Sequence, residues 1–352
     1  MLEEDEGLEL EIRDMIRAME RGDEDVFEIF RENAETVMQG ITRSLERMNV
    51  HLDSFKNESD FVRDGSVLSV IEEIERLDNC GKEDGALFFE NKDNQTFITR
   101  GDGTNLYPAR DIAYHLWKAE RSDRLLNILG EDHKLHGEFI RDAMRSLNAE
   151  PIPEMLFYSF VSFEGSEMST RKGTYVTLDD FMDTACEKAQ DEISGKEELS
   201  EEDIKDIAED VGLGAVRFNI IKVQPEKPID FRWEEALNFQ GDSAPFVQYT
   251  HARAAGIIDG FEEELDEGEV DYRGLDEEGE IELVREMAEF PLVLKRTADL
   301  NSPHQVAKYA LDLSREFNQF YRDYPVLQSE DKRDERLVLV KAYKKVISSV
   351  LD

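Results

Sequence analysis

Residues 125–137 read Leu-Leu-Asn-Ile-Leu-Gly-Glu-Asp-His-Lys-Leu-His-Gly. The first five form a short apolar run of strand character, Gly130 closes it, and Lys134–Leu147 continues with helical periodicity. A strand that stops at a glycine and turns into a helix is the joint from which a parallel α/β sheet is built. A glycine at the strand's carboxyl end also lets a nucleotide approach the backbone, the usual ligand position in open α/β sheets. His133 and His136 stand at i and i+3, a spacing open to a metal pair, but the sequence supplies no evident third ligand.

Working outward, Leu156–Phe163 is a second apolar strand, and Tyr107–Lys118 is a helix. Ala86–Phe89 and Thr96–Thr99 flank a polar Asn-Lys-Asp-Asn and predict a hairpin. Val67, Val70, Ile71, Ile74 and Leu77 mark one more helix, and residues 8–50 are helical by period, with a stripe from Phe27 through Val37 to Met48. After about Thr177 the character changes to helices. Thr177-x-x-Asp180 and Ser200-x-x-Asp203 predict helix N-terminal caps. The acid-dense, glycine-punctuated stretch Glu262–Glu282 predicts a solvated loop. Ser302-Pro303 predicts a cap-then-proline helix start, and a final helix runs from about Lys332. The expected fold is α/β followed by all-α: residues 1–176 a nucleotide-binding part with a helical insertion, 177–240 a helical linker, and 241–352 a helical bundle.

The 352 residues carry 82 Asp and Glu against 42 Lys and Arg, a formal net charge of −40. In dilute buffer such charge opposes compaction and repels polyanions. In molar salt, where the screening length falls to about 3 Å, both effects largely vanish. An excess spread along the whole chain points to adaptation to high salt; the alternative is an acidic protein of an ordinary cell that avoids nucleic acid. Two distant cysteines, Cys80 and Cys186, indicate free thiols in a reducing, cytoplasmic compartment. No apolar run approaches the roughly 18 residues of a membrane span. Six scattered histidines without paired cysteines argue against a structural metal.

Four stretches carry chemistry. In Asp102-Gly103-Thr104-Asn105-Leu106-Tyr107-Pro108-Ala109-Arg110-Asp111, a helix starting near Pro108 puts Tyr107 and Asp111 on one face. A phenol beside a carboxylate can hold a guanidinium; equally, Asp111 could pair with a neighbouring Arg. The second stretch is Gly130–Gly137. The third, Met168-Ser169-Thr170-Arg171-Lys172-Gly173, follows a strand and precedes a helix, which suits a loop that neutralises a departing polyphosphate, though such runs are also plain surface. The fourth, Asn238–Ala254, sets Gln248, Tyr249, His251 and Arg253 on adjacent turns of one helix, suited to stacking on bases and contacting phosphate, or to packing between domains.

Together and in this order, the four stretches resemble arginyl-tRNA synthetases of the archaeal kind, class I enzymes, from about Glu9 to the end. Ser59-Asp60-Phe61-Val62-Arg63-Asp64-Gly65 fits the same family. The resemblance implies a Rossmann-type catalytic domain and a helical anticodon-binding domain, with ATP-dependent activation of arginine and transfer to the terminal ribose of tRNA(Arg). It implies that Tyr107, Asp111 and His133 bind arginine. Gly130, Asp132, Met168, Ser169 and Lys172 would serve ATP, with Mg2+ arriving on the nucleotide and no tightly bound metal. Ser169, Arg171 and Lys172 would act on the phosphates; Gln248, Tyr249, His251 and Arg253 would meet tRNA. A cytoplasmic monomer is expected. The lysines of the class-wide Lys-Met-Ser-Lys-Ser loop stand here as Glu167 and Thr170. The family's His-x-Gly-His loop is not among these residues, so an N-terminal half carrying it is an expected partner. A non-catalytic tRNA-binding protein derived from a synthetase, and a nucleotidyl transferase on the same fold, are the alternatives.

Overall fold

The computed structural model describes residues 7–8, 11–12, 14–15, 18, 23–91, 94–165, 176–194, 199–261, 263 and 265–351. Residues 1–55 and 56–352 form separate compact units. In the first unit, helix α1 (Glu24–Arg47) starts where the Asp23 carboxylate accepts the Val26 N–H at 3.1 Å, a cap contributing about 1 kcal/mol. Its apolar stripe is present as the periodicity predicts, yet no residue of the helix is buried and Val37 is 61% exposed.

The second unit opens with α2 (Glu58–Arg63) and α3 (Ser66–Ile74). Gly65, at φ +85°, makes the turn between them, and Asp64 accepts the Ser66 N–H at 2.9 Å. The predicted hairpin forms as β2 (Ala86–Asn91) and β3 (Asn94–Phe97), with Phe89 opposite Thr96. A strand the periodicity missed, β1 (Cys80–Glu83), extends it to three antiparallel strands. Then follow α4 (Tyr107–Ala119), β4 (Leu126–Gly130), α5 (Lys134–Ser146) and β5 (Glu154–Tyr158). Strands β4 and β5 pair in parallel, Gly130 opposite Tyr158. Phe61, Ile74, Phe89, Ile98, Ile112, Phe139 and Met144 close the core between these elements, and burial of each contributes roughly 1.5–3 kcal/mol.

The run Leu156–Phe163, expected as one strand, is two. The Ser159 N–H donates to the Pro225 carbonyl at 2.7 Å, which takes the chain off the β4 ladder. It restarts as β6 (Val161–Phe163), paired in parallel with β7 (Ile229–Phe231). Strand β7 lies in a region read from sequence as helical; Phe231 anchors it among Phe163, Phe181 and Trp233, with the Phe181 and Phe231 rings 4.6 Å apart.

The remaining elements are helices: α6 (Leu178–Ile193), α7 (Glu201–Ile221), α8 (Trp233–Ala236), α9 (Ala244–Asp259), α10 (Glu278–Leu300), α11 (His304–Asp323) and α12 (Arg333–Leu351). Both predicted caps form: Thr177 accepts the Asp180 N–H, and Ser200 with Asp203 makes a reciprocal capping box. Helices α6 and α7 touch at Gly212, where a Cβ would sit 2.8 Å from the Ala185 carbonyl carbon. Ser302 does not cap α11 with its side chain; its hydroxyl donates back to the Leu300 carbonyl at 2.9 Å. The acidic run ends as a loop earlier than its composition suggests, because Glu278–Glu282 belong to α10. Glu280 is fully buried there, 2.7 Å from Arg336, whose guanidinium also donates to the Pro325 carbonyl at 2.9 Å. Around it, Val247, Leu313, Phe317, Leu337 and Tyr343 form the helical core. The Tyr343 ring stacks on Phe317 at 3.8 Å and its hydroxyl donates to Thr250 at 2.6 Å; burial pushes this phenol up to about 12. Among the described residues no helix is long and apolar enough to cross a membrane.

Candidate functional site

The site is built on the turn that feeds α4. Gly103, at φ +86°, lets Arg100 and Thr104 close on each other, and Asp102 accepts the Thr104 N–H at 3.0 Å. The Leu106 N–H then donates to the Ile98 carbonyl at 2.9 Å, which ties the first turn of α4 to the end of the hairpin. Tyr107 is the first residue of that helix and 57% exposed. One turn on, the Asp111 side chain is 27% exposed.

The expected face of Tyr107 and Asp111 therefore exists, and the structure adds a third member. His136, from α5, places Nε2 2.6 Å from Asp111 Oδ2, and its ring lies 5.2 Å from that of Tyr107. His115, one turn further along α4 and buried, shares its Nδ1–H between the Asp111 carbonyl at 2.7 Å and Asp111 Oδ1 at 3.2 Å. Arg110 is not the partner of Asp111; it reaches Glu58 at 3.2 Å.

Burial pushes the Asp111 carboxyl up, but the hydrogen bonds from His115 and His136 outweigh it. The group is held well below the usual carboxylate range. A carboxylate fixed as an anion in a half-buried setting beside a phenol is a receptor for a cation with several N–H donors.

Gly130 ends β4 as the sequence predicts; a Cβ there would lie 2.6 Å from Asp132 Oδ1, the tip of an exposed side chain that can swing aside. Asp132 and His133 form an exposed single turn, their side chains 59% and 57% accessible and 3.7 Å apart. No contact joins His133 to Asp111 or Tyr107 among the described residues; the histidine brought to the carboxylate is His136. Neighbouring Glu131 accepts the Ser159 hydroxyl at 2.7 Å, which ties this turn to the end of β5. Among the described residues no three His, Cys, Asp or Glu side chains converge as metal ligands.

Met168, Ser169, Arg171 and Lys172, with Glu167 and Thr170, lie outside the described residues. Their flanks are anchored. On one side Gly165 donates to Asp230 at 2.7 Å and Glu164 to the Phe231 carbonyl at 3.1 Å; on the other stands the Thr177 cap.

On α9 the four expected residues divide. Gln248 donates to the Asp210 carbonyl of α7 at 3.1 Å, a packing role. Tyr249 is exposed, and the Arg253 guanidinium lies between two rings, 4.8 Å from Tyr249 and 5.2 Å from Tyr321. Arg253 also donates to Asn318. His251 is half-buried on the same helix. Tyr321, from α11, joins this aromatic and basic surface without any signal in the α9 sequence.

The family described as "tRNA synthetases class I (R), catalytic domain" matches residues 1–233, and "DALR anticodon binding domain" matches residues 247–352. A curated arginine–tRNA ligase of Methanocella arvoryzae is 43% identical, over 99% of this chain and 62% of its own length. That of Methanothrix thermoacetophila is 40% identical, over 100% of this chain and 64% of its own. The solved arginyl-tRNA synthetase of Thermus thermophilus superimposes with a TM-score of 0.83 at 25% identity, covering 100% of this chain and 67% of that one. The chain thus spans less than two thirds of the length of these curated relatives.

Proposed function

The chain belongs to the class I arginyl-tRNA synthetase family, and from that premise we propose that it takes part in ATP-dependent activation of arginine and its transfer to the 3′-terminal ribose of tRNA(Arg). The observation that carries the proposal is the Asp111 carboxylate: kept ionised, half-buried, and set beside the exposed Tyr107 phenol. In this reading Asp111 takes the guanidinium of arginine through charge-assisted hydrogen bonds, and Tyr107 lies along the side chain. His133 serves the same pocket from the exposed turn after β4.

ATP is proposed to lie over Gly130 and Asp132, with Mg2+ travelling on its phosphates as an ion that keeps several of its waters. Met168, Ser169, Arg171 and Lys172 would hold the triphosphate, the cations offsetting charge that develops as pyrophosphate leaves. Residues 1–176 form the catalytic part, 177–240 the linker and 241–352 the anticodon-binding bundle. Tyr249, His251 and Arg253, with Gln248 fixing the helix, would meet tRNA; the exposed ring pair around Arg253 supports stacking on bases. A monomer in the cytoplasm of a salt-adapted cell fits the charge of −40.

The test is arginine-dependent ATP–pyrophosphate exchange in molar KCl with tRNA(Arg), using the chain alone and with the N-terminal portion of a relative supplied in trans. Exchange supports the enzyme reading. No exchange in either arrangement overturns it, and tight tRNA binding in that case favours a non-catalytic tRNA-binding role.

A further inference from the structure

A chain of polar contacts runs into Asp111 from the strand behind it. Lys118 Nζ donates to Asn127 Oδ1 at 2.8 Å. That contact orients the amide, so Asn127 Nδ2 is the atom facing His115 Nε2, 2.6 Å away. An amide nitrogen only donates, so His115 Nε2 must accept and carries no proton. The imidazole is therefore neutral, with its one proton on Nδ1, where it meets the backbone carbonyl and the Oδ1 of Asp111. Asn127 sits on β4 and the other three groups on α4, so the sheet itself sets the tautomer. From α5, His136 Nε2 approaches the other carboxylate oxygen at 2.6 Å and must be the donor, because Asp111 is ionised.

We propose that His115, set by Lys118 and Asn127, and His136 are positioning residues that orient the Asp111 carboxylate for a planar guanidinium and so determine selectivity for arginine. The inference rests on Asp111 being the arginine-binding carboxylate. A carboxylate offers about four acceptor sites. The two imidazoles occupy one on each oxygen, and one on each remains, which matches the paired N–H groups of a guanidinium better than the single point of an ammonium. Neither imidazole needs to touch the substrate for this role. His115, at 3% exposure, is out of its reach.

The test is calorimetric titration of the full chain with L-arginine and with L-lysine in molar KCl, together with ring-15N NMR of its histidines. Asp111→Asn abolishes arginine binding. His136→Ala and His115→Ala each weaken it by about tenfold, the effect of losing one hydrogen bond to a charged group, and both narrow the preference over lysine. His136→Gln and His115→Asn, which keep a nitrogen donor near the same place, recover affinity to within about threefold of the wild type. The NMR shows His115 protonated on Nδ1 alone, and Asn127→Asp changes that state.

If both alanine variants bind arginine within about twofold of the wild type while Asp111→Asn does not bind, the relay is wrong and the arginine site stands. If wild type and Asp111→Asn behave alike, the arginine site fails. The selectivity role then falls with it, and the NMR judges the His115 tautomer alone: a proton on Nε2 overturns the Asn127–His115 contact as drawn, and a proton confined to Nδ1 leaves only that contact standing. Refolding of the buried variants is checked by the same spectra.

Discussion

Asp111 Oδ2 and His136 Nε2 lie 2.6 Å apart, joining the second turn of α4 to the first turn of α5 beside the β4–α5 joint. The carboxylate is held in place before any ligand arrives, which lowers the ordering cost of binding. Replacing Asp111 with Ala should remove arginine binding, because an uncompensated cationic ligand loses several kcal/mol with its buried partner. Calorimetry reads this directly, and tRNA binding by the same variant should be unchanged.

The acid limb of stability follows from the same group. The Asp111 carboxyl sits well below its ordinary value of 3.8, held down by His115 and His136 against the cost of burial. Its stabilising contribution is present in full above the unfolded value and is lost as pH falls from about 4 through the folded value. The stability difference between wild type and Asp111→Asn should therefore be constant between about pH 5 and 6 and shrink below about pH 4. Urea unfolding over that range measures it; a difference unchanged into strong acid would contradict the assignment.

Glu280 is the acid that the composition of its run conceals. Glu280→Ala leaves Arg336 buried without its anion and should cost about 3–5 kcal/mol of unfolding free energy. Glu282→Ala, which removes only an exposed contact to Arg285 at 3.0 Å, should change stability by less than about 0.5 kcal/mol. Chemical denaturation of the two variants side by side tests the contrast.

On α9, Tyr249→Ala and Arg253→Ala should each weaken tRNA binding by about 1–3 kcal/mol through lost stacking and charge. Gln248→Ala should act on stability instead, since its amide is spent on the α7 backbone. Filter binding with tRNA and a melting curve separate the two effects.

With a net charge of −40, the unfolding midpoint should climb steeply between about 0.1 and 2 M KCl as the screening length contracts. A midpoint insensitive to salt would remove the case for adaptation to high salt.

Much of this was legible in the chain, for identifiable reasons. The Gly130 joint, the Thr177 and Ser200 caps and the Tyr107–Asp111 face depend on residues within four positions of each other, so local spacing reveals them. Strand β7 is three residues long and held by rings from Phe163 and Phe181, which no local pattern encodes. The partners of Asp111 show the same division. His115 stands at i+4 on the same helix and could have been found by spacing, whereas His136 and Asn127 arrive from other elements and only the fold unites them. The loss of Glu280 from the solvated loop has a similar origin, because its partner Arg336 is 56 positions away.

The central claim is that Asp111 recognises a guanidinium, and citrulline is the sharpest probe of it. Citrulline matches arginine in length but carries a neutral ureido group with a carbonyl oxygen in place of one terminal NH2 group, so two of the five N–H donors are lost. Titrating the full chain in molar KCl with each, the account predicts saturable binding of arginine and a loss of at least about 100-fold for citrulline, the cost of setting an acceptor against a buried anion. Equal affinity for the two, or no saturable binding of arginine, would contradict it.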